Sequence, residues 1–338
     1  DTEVYHALIK AVHDNIGVLR KYYKLRKKLL GYDKIHLYDM YVPLIANVDR
    51  EYEYTEAEDL SIKATEPLGK EYQQTLSNGL KNQRWVDKFE NKGKRSGGYM
   101  SNGIDSHPYI LLNFQKTLND VFTLAHEGGH AMHSYYSTKN QPYHYSEYKI
   151  FVAEVASIFN EDNLRDHLLK TSKSKSEKIY LVNKALDDIR STLFRQTMFA
   201  EFELAIHTLT EKKTPFTPQL LQKVYHDINK FYFGDDVEID SEVDFELYRI
   251  PHFYYSYYVY QYATGMSAAI YLADKVRNGG DKERTDYINF LSGGGSKYPL
   301  DLLKGAGVDM TSPEPVAACL QTFSKLVDEL EKLTSEEE

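Results

Sequence analysis

Apolar residues at Val4, Ala7, Leu8, Ala11, Ile16, Leu19 and Tyr22 recur at helical spacing, so residues 3–31 read as a helix with a basic final turn closed by Gly31. The segment HLYDMYVPL, which contains Pro43, interrupts that pattern. Helical spacing resumes over about 55–92. The clear β signals lie within 93–114, where GKRSGGYM and YILLNF flank a Gly/Asn/Asp-rich turn. From Asn119 the pattern is helical almost to the end, with breaks near 140–145, 214–217, 234–240, 293–297 and 311–315. The expected fold class is therefore mainly α, a multi-helix assembly with a small β-hairpin or sheet near 93–114. No internal repeat is visible, and the acidic tail SEEE reads as a frayed, solvated terminus.

With 338 residues, 42% of them hydrophobic, the chain is long enough for one large or two medium-sized domains around a substantial core. No stretch approaches the roughly 18 to 20 apolar residues of a membrane span. The start, DTEVYHALIK, has neither a signal-peptide core nor an initiator Met, so the chain is expected to begin inside a longer or processed one. The only cysteine is Cys319, which excludes an internal disulfide framework and a cysteine-rich zinc site and fits a reducing cytoplasm. A net charge of -9 argues against a surface built to neutralise nucleic-acid phosphates. The 29 tyrosines, against one tryptophan, suit clefts that bind peptides, although most of them serve ordinary packing.

The chemistry concentrates in VFTLAHEGGHAMHSYYS. Residues four apart lie one above the other on a helix, so His126 and His130 can aim two imidazoles at one metal ion, with Glu127 beside it. Val121, Leu124, Ala125, Gly128 and Met132 fall on an apolar stripe, and His126, His130 and His133 gather on another. A catalytic zinc usually takes three protein ligands and leaves the fourth position to water, so a third must be found. The longer metzincin pattern fails, because it needs Gly at 133 and His at 136, where this sequence has His133 and Tyr136. A glutamate on the following helix is the alternative. In KIFVAEVASIFNEDNL, the residues Phe151, Val152, Val155, Ile158 and Phe159 form an apolar stripe, with Glu154, Ser157 and Glu161 opposite. Glu154, 24 residues after His130, is taken as the third ligand, and Glu161 as the partner that orients a ligand imidazole. His133 lies about 10 Å along the helix from His126 and is read as a supporting or core residue rather than a fourth ligand.

With these residues in place, the chain resembles the oligoendopeptidase F branch of the thimet-oligopeptidase-like zinc metallopeptidases. The resemblance covers essentially the whole chain, through HLYDMYVPL, GKRSGGY, HPYILLNF, TLAHEGGHAMHSYYS, FVAEVASIFNE, FRQTMFAEFE and IPHFYYSYYVYQYATG. It implies a cytoplasmic zinc endopeptidase that cleaves short peptides in a deep channel between helical halves, with no nucleic-acid or membrane partner; the oligomeric state is left open. Carried over, its metal ligands match His126, His130 and Glu154, its base matches Glu127, and one Zn2+ is implied per chain. The family's late His and Tyr residues, which touch the substrate carbonyl, match His252 and Tyr258, with Tyr254 and Tyr255 as further substrate contacts. Two departures stand out. Gly128 replaces a larger apolar residue beside Gly129, and each glycine costs roughly 0.5 to 1 kcal/mol inside a helix, which softens the metal-bearing helix. Full-length relatives also carry a long N-terminal helical region, so residues 1–338 are expected to be a zinc metallopeptidase catalytic domain from the C-terminal part of a longer chain.

The expected mechanism is attack on the scissile carbonyl by a zinc-activated water, with Glu127 taking the proton and returning it to the leaving amine. His252 and Tyr258 would donate to the oxyanion. The Gly97-Gly98-Tyr99 segment is expected to offer a strand edge to an extended peptide, with a plain tight turn as the competing reading. The rival from another class is a catalytically silent zinc- and peptide-binding helical fragment. Glu127 favours enzyme ancestry, because a purely binding module has no use for a base between two zinc histidines.

Overall fold

A computed structural model describes residues 2–44 and 50–335, so the last three residues of the SEEE tail lie outside the described part. The expected class holds: the described residues form thirteen α-helices and two very small sheets. No described helix is long and apolar enough to cross a membrane. The chain divides into two compact units, the first comprising 1–47, 178–264 and 311–338, the second 48–177 and 265–310.

In the first unit, α1 (Thr2–Asp14) and α2 (Ile16–Leu30) replace the single helix expected over 3–31. The break falls at Asn15, at φ -115°, whose side-chain amide donates to the Ala11 carbonyl at 2.9 Å. A short amide that bonds the preceding turn competes with the backbone ladder, and the apolar spacing runs through the break without recording it. The helix α7 (Lys175–Ile189) continues through a π-turn at Arg190–Phe194 into α8 (Arg195–Glu211), which packs against α9 (Pro218–Phe233). The last helix, α13 (Glu314–Ser335), lies against α1 and α2. Tyr22 meets Phe323 edge-on at 5.7 Å and Tyr23 stacks on Phe233 at 5.1 Å, so much of the tyrosine content is core. A parallel pair joins β1 (Ile35–His36) to β5 (Val237–Glu238). The stretch after Asp240 departs from expectation, forming 3-10 turns at Ser241–Tyr248 and Pro251–Tyr254. Pro251 lacks an N–H and drives Ile250 to an extended conformation, which stops a helix from forming there.

In the second unit, α3 (Tyr54–Ala64) and α4 (Gly69–Ser77) account for the helical signal over 55–92, which ends early, at Asn82. Residues 86–87 are instead β2 (Val86–Asp87), parallel to β4 (Tyr109–Leu111), with β3 (Tyr99–Ser101) antiparallel on its other side in register Tyr99–Leu111. The expected hairpin within 93–114 is thus present, and β2 adds a third strand. Around this sheet and α3 runs α5 (Leu118–Asn140), started by a capping box in which Thr117 Oγ1 accepts from the Asp120 N–H and the Asp120 carboxylate accepts from the Thr117 N–H.

Packed along α5 is α6 (Ile150–Thr171), which buries Val152, Val155 and Phe159. The connection between them is held from outside. The Gln141 side chain donates to the Ser292 carbonyl at 2.8 Å, and the Gly295 N–H donates to the Tyr145 carbonyl at 2.8 Å. The unit is completed by α10 (Tyr260–Asn278) from Gly265 onward, α11 (Asp281–Leu291) and α12 (Pro299–Gly305). Buried Asp162 of α6 meets Arg165 and Arg277 of α10, each at 2.6 Å, so the carboxylate is charge-paired where it leaves water.

Candidate metal centre

The helical period places His126 and His130 one turn apart on α5, with their rings 4.8 Å apart and nearly perpendicular. Across the helix crossing, Glu154 Oε2 lies 3.4 Å from each Nε2. One donor atom from each of the three residues falls within 4.8 Å of the others, the spacing of a set that can close on one ion. Two further contacts fix this set. Glu161 Oε1 is 2.6 Å from His126 Nδ1, which assigns the proton to Nδ1 and leaves Nε2 as the lone-pair donor. The Ser157 hydroxyl donates to Glu154 Oε2 at 2.8 Å.

Sequence spacing alone does not explain how α6 comes this close. A Cβ at Gly129 would lie 2.7 Å from Ser157 Cα and closer still to the Ala156 carbonyl oxygen, so the helices touch backbone to backbone there. Gly128 faces only Leu76 at an ordinary 3.5 Å. The GG pair was legible as a helix anomaly, but its meaning is steric: Gly129 sets the distance across which Glu154 reaches the imidazoles. Ser157 was visible one turn after Glu154 on the same face, a spacing that could have flagged its hydrogen bond.

Three carboxylates face two imidazoles, and the charges respond. For His126, burial acts to lower the pKa, but the Glu161 hydrogen bond and the negative field of Glu161, Glu154 and Glu127 prevail and raise it to about 9. For Glu154, burial acts upward and is outweighed by the His130 hydrogen bond, both imidazoles and Ser157, which hold it at about 2. Glu127 is pushed upward chiefly by burial, and its Oε2 has no hydrogen-bond partner among the described residues. An excess of negative charge around two convergent imidazoles is the environment a divalent cation completes. Two imidazoles and a carboxylate also match the donor preference of zinc. His133 is apart from this set: it is fully buried, stacked on Tyr148 at 3.6 Å and beside Phe290, as a core residue.

In the same unit, β3 is an edge strand of the order β2-β4-β3, so Tyr99 stands on an open strand edge, half exposed. A Cβ at Gly98 would meet Thr123 Cγ2 of α5 at 2.9 Å, so this glycine serves close packing of the strand on α5. The residues His252, Tyr254, Tyr255 and Tyr258 lie in the first unit. His252 stacks on Tyr258 at 5.6 Å, and the Tyr262 hydroxyl, which sequence reasoning did not single out, donates to that of Tyr258 at 3.2 Å. Tyr254 and Tyr255 are 75% and 57% exposed, at the end of the 3-10 turn Pro251–Tyr254.

A family profile described as Peptidase family M3 matches residues 1–322. The chain belongs to peptidase family M3. Within that family it is 50% identical over 331 residues to the oligopeptidase PepF of Bacillus subtilis, covering 98% of this chain and 49% of that protein. Among solved structures it is similar to a putative peptidase from Chlamydophila abortus, with 46% identity and a TM-score of 0.93, covering 98% of this chain and 56% of that one. It is also similar to oligoendopeptidase-F from Enterococcus faecium, with 35% identity and a TM-score of 0.80, covering 100% and 54% respectively. The chain therefore spans about half the length of these relatives.

Proposed function

We propose that the chain is the catalytic part of a zinc-dependent endopeptidase of the oligoendopeptidase F kind, acting on short peptides. The observation that carries this reading is the convergence of His126, His130 and Glu154 donors within 4.8 Å, with buried Glu127 next in sequence to the first of them. His126, His130 and Glu154 would hold the ion. When bound, zinc supplies Lewis-acid polarisation of water and of the scissile carbonyl at neutral pH. Glu127 is the general base: burial raises its proton affinity, and its free Oε2 can accept a proton from the attacking water and deliver it to the leaving amine. Glu161 holds His126 in the tautomer that binds.

Peptide would add along the open edge of β3 by main-chain hydrogen bonds, with Gly97, Gly98 and Tyr99 as the contact segment. His252 and Tyr258 would donate to the substrate carbonyl, and Tyr254 and Tyr255 would contact the peptide; for these four the support is the family resemblance of their block together with their clustering. A reducing, cytoplasmic location accords with a sequence whose single cysteine, Cys319, is buried.

The test pairs metal content with cleavage of a short quenched-fluorescence peptide by the full-length protein. About one zinc per chain is expected, lost in Glu154→Ala. Glu127→Gln should retain the metal and lose about 10²–10⁴ in kcat. Metal retained by Glu154→Ala, or cleavage surviving in Glu127→Gln, would overturn the assignment.

A further inference from the structure

Away from His126, His130 and Glu154, the buried carboxyl of Glu203 forms no ion pair among the described residues. Glu203, on α8 in the first unit, is fully buried. Its Oε1 accepts the backbone N–H of Tyr257 at 2.5 Å, while Oε2 has no hydrogen-bond partner among the described residues. A buried carboxyl with half its acceptor capacity unused is costly, and an apolar side chain would fill the same space more cheaply. The helix therefore carries it for what Oε1 holds.

What it holds is a strained residue. Tyr257 has φ +53°, in the left-handed region, where the Cβ of a non-glycine residue crowds the backbone. Such a conformation persists only where its surroundings over-determine it. Here the N–H is held by Glu203, and the ring is held edge-on by Tyr5 at 5.5 Å and against His207 at 4.7 Å. The next residue is Tyr258, whose ring lies against His252 and whose hydroxyl receives that of Tyr262. Fixing Tyr257 therefore fixes the direction in which the chain enters Tyr258.

We propose that Glu203 is a positioning residue: by holding the Tyr257 N–H it locks the turn that presents Tyr258 and His252 to the substrate. This rests on the reading above that those two side chains contact the substrate. Burial pushes the Glu203 carboxyl up to about 7, against the Tyr257 hydrogen bond. The neutral acid is still an acceptor, and glutamine reproduces both its shape and its acceptor oxygen.

Steady-state kinetics and metal content in the full-length protein test the assignment. Glu203→Leu and Tyr258→Phe should each lower kcat about 10²-fold, with metal content unchanged. Glu203→Gln should restore most of the activity, and Glu203→Asp, which withdraws the carboxyl by one methylene but keeps its charge, should not. Added to Tyr258→Phe, Glu203→Leu should cost clearly less than it does alone, because the part of its effect that runs through the Tyr258 hydroxyl is already gone. In the Glu203→Leu background, Tyr257→Gly should recover part of kcat, since glycine takes positive φ without strain. Should the leucine variant fail to fold, the contrast between Glu203→Gln and Glu203→Asp decides. Unchanged kcat in Glu203→Leu, glutamine as damaging as leucine, or losses additive with Tyr258→Phe would each overturn the lock. Unchanged cleavage in both Tyr258→Phe and His252→Ala would remove the substrate role beneath it, and the proposal with it.

Discussion

Gly129 of α5 and Ser157 of α6 meet so closely that a side chain on the first would stand 2.7 Å from the Cα of the second. The neighbour that would have to yield is backbone, which cannot rotate away. Gly129→Ala should therefore separate the helices, at about 1–3 kcal/mol of stability, and draw Glu154 back from the imidazoles. Gly128→Ala faces only an ordinary contact with Leu76 and should gain up to about 1 kcal/mol from helix propensity. Melting temperature and zinc content of the two variants should move in opposite directions for the first quantity, and only Gly129→Ala should lose metal. Equal zinc content in both would show that the close approach does not set the donor spacing.

The two hydrogen bonds behind the donors should be separable by chelator competition. Glu161→Ala removes the partner of His126 Nδ1 and should weaken zinc binding about 10–100-fold without abolishing it. Ser157→Ala removes a donor to an ionised carboxylate, worth about 1.5–3 kcal/mol, and should weaken binding by at least about tenfold. Affinities indistinguishable from the unsubstituted protein would assign both groups to packing alone.

His133 makes a pH prediction for the metal-free protein. Burial, with the charge of His130 adding to it, lowers its pKa from 6.5 to about 3, so the folded state holds it neutral where the unfolded state protonates it. The unfolded chain then binds the extra proton, and stability falls as pH drops below about 6.5, levelling only near about 3. From pH 6.5 to 5 this residue alone should cost about 2 kcal/mol. His133→Phe keeps the ring against Tyr148 and should flatten that acid limb in urea unfolding after chelation. An acid limb of unchanged slope in the variant would place the titration elsewhere.

What the sequence disclosed follows from the range of each interaction. His126 and His130 are one turn apart, Glu154 and Glu161 share a helix face, and the strands β3 and β4 flank a glycine-rich turn; all of these are local regularities that spacing records. The break at Asn15 was hidden because the apolar stripe runs across it, and β2 because two residues carry no period. The 3-10 turns around Pro251 sit in a tyrosine-rich stretch whose composition suits helix and loop alike. Gly129 was noticed as a helix anomaly and read as a soft spot, because its partner lies 28 residues away, on another helix. Glu203 was visible only as part of a family block, since neither its burial nor the left-handed Tyr257 opposite it leaves a mark on the local pattern.

The backbone contact between α5 and α6 has a thermodynamic corollary. On the proposed metal reading, donors from both helices would enclose one ion, and its retention and the association of the helices would then be one equilibrium seen from two ends. A substitution that tightens the crossing must raise affinity for the ion by the same free energy that the ion returns to the crossing. Resistance to a chelator is thereby a gauge of how well two helices fit, even for changes placed far from any ligand.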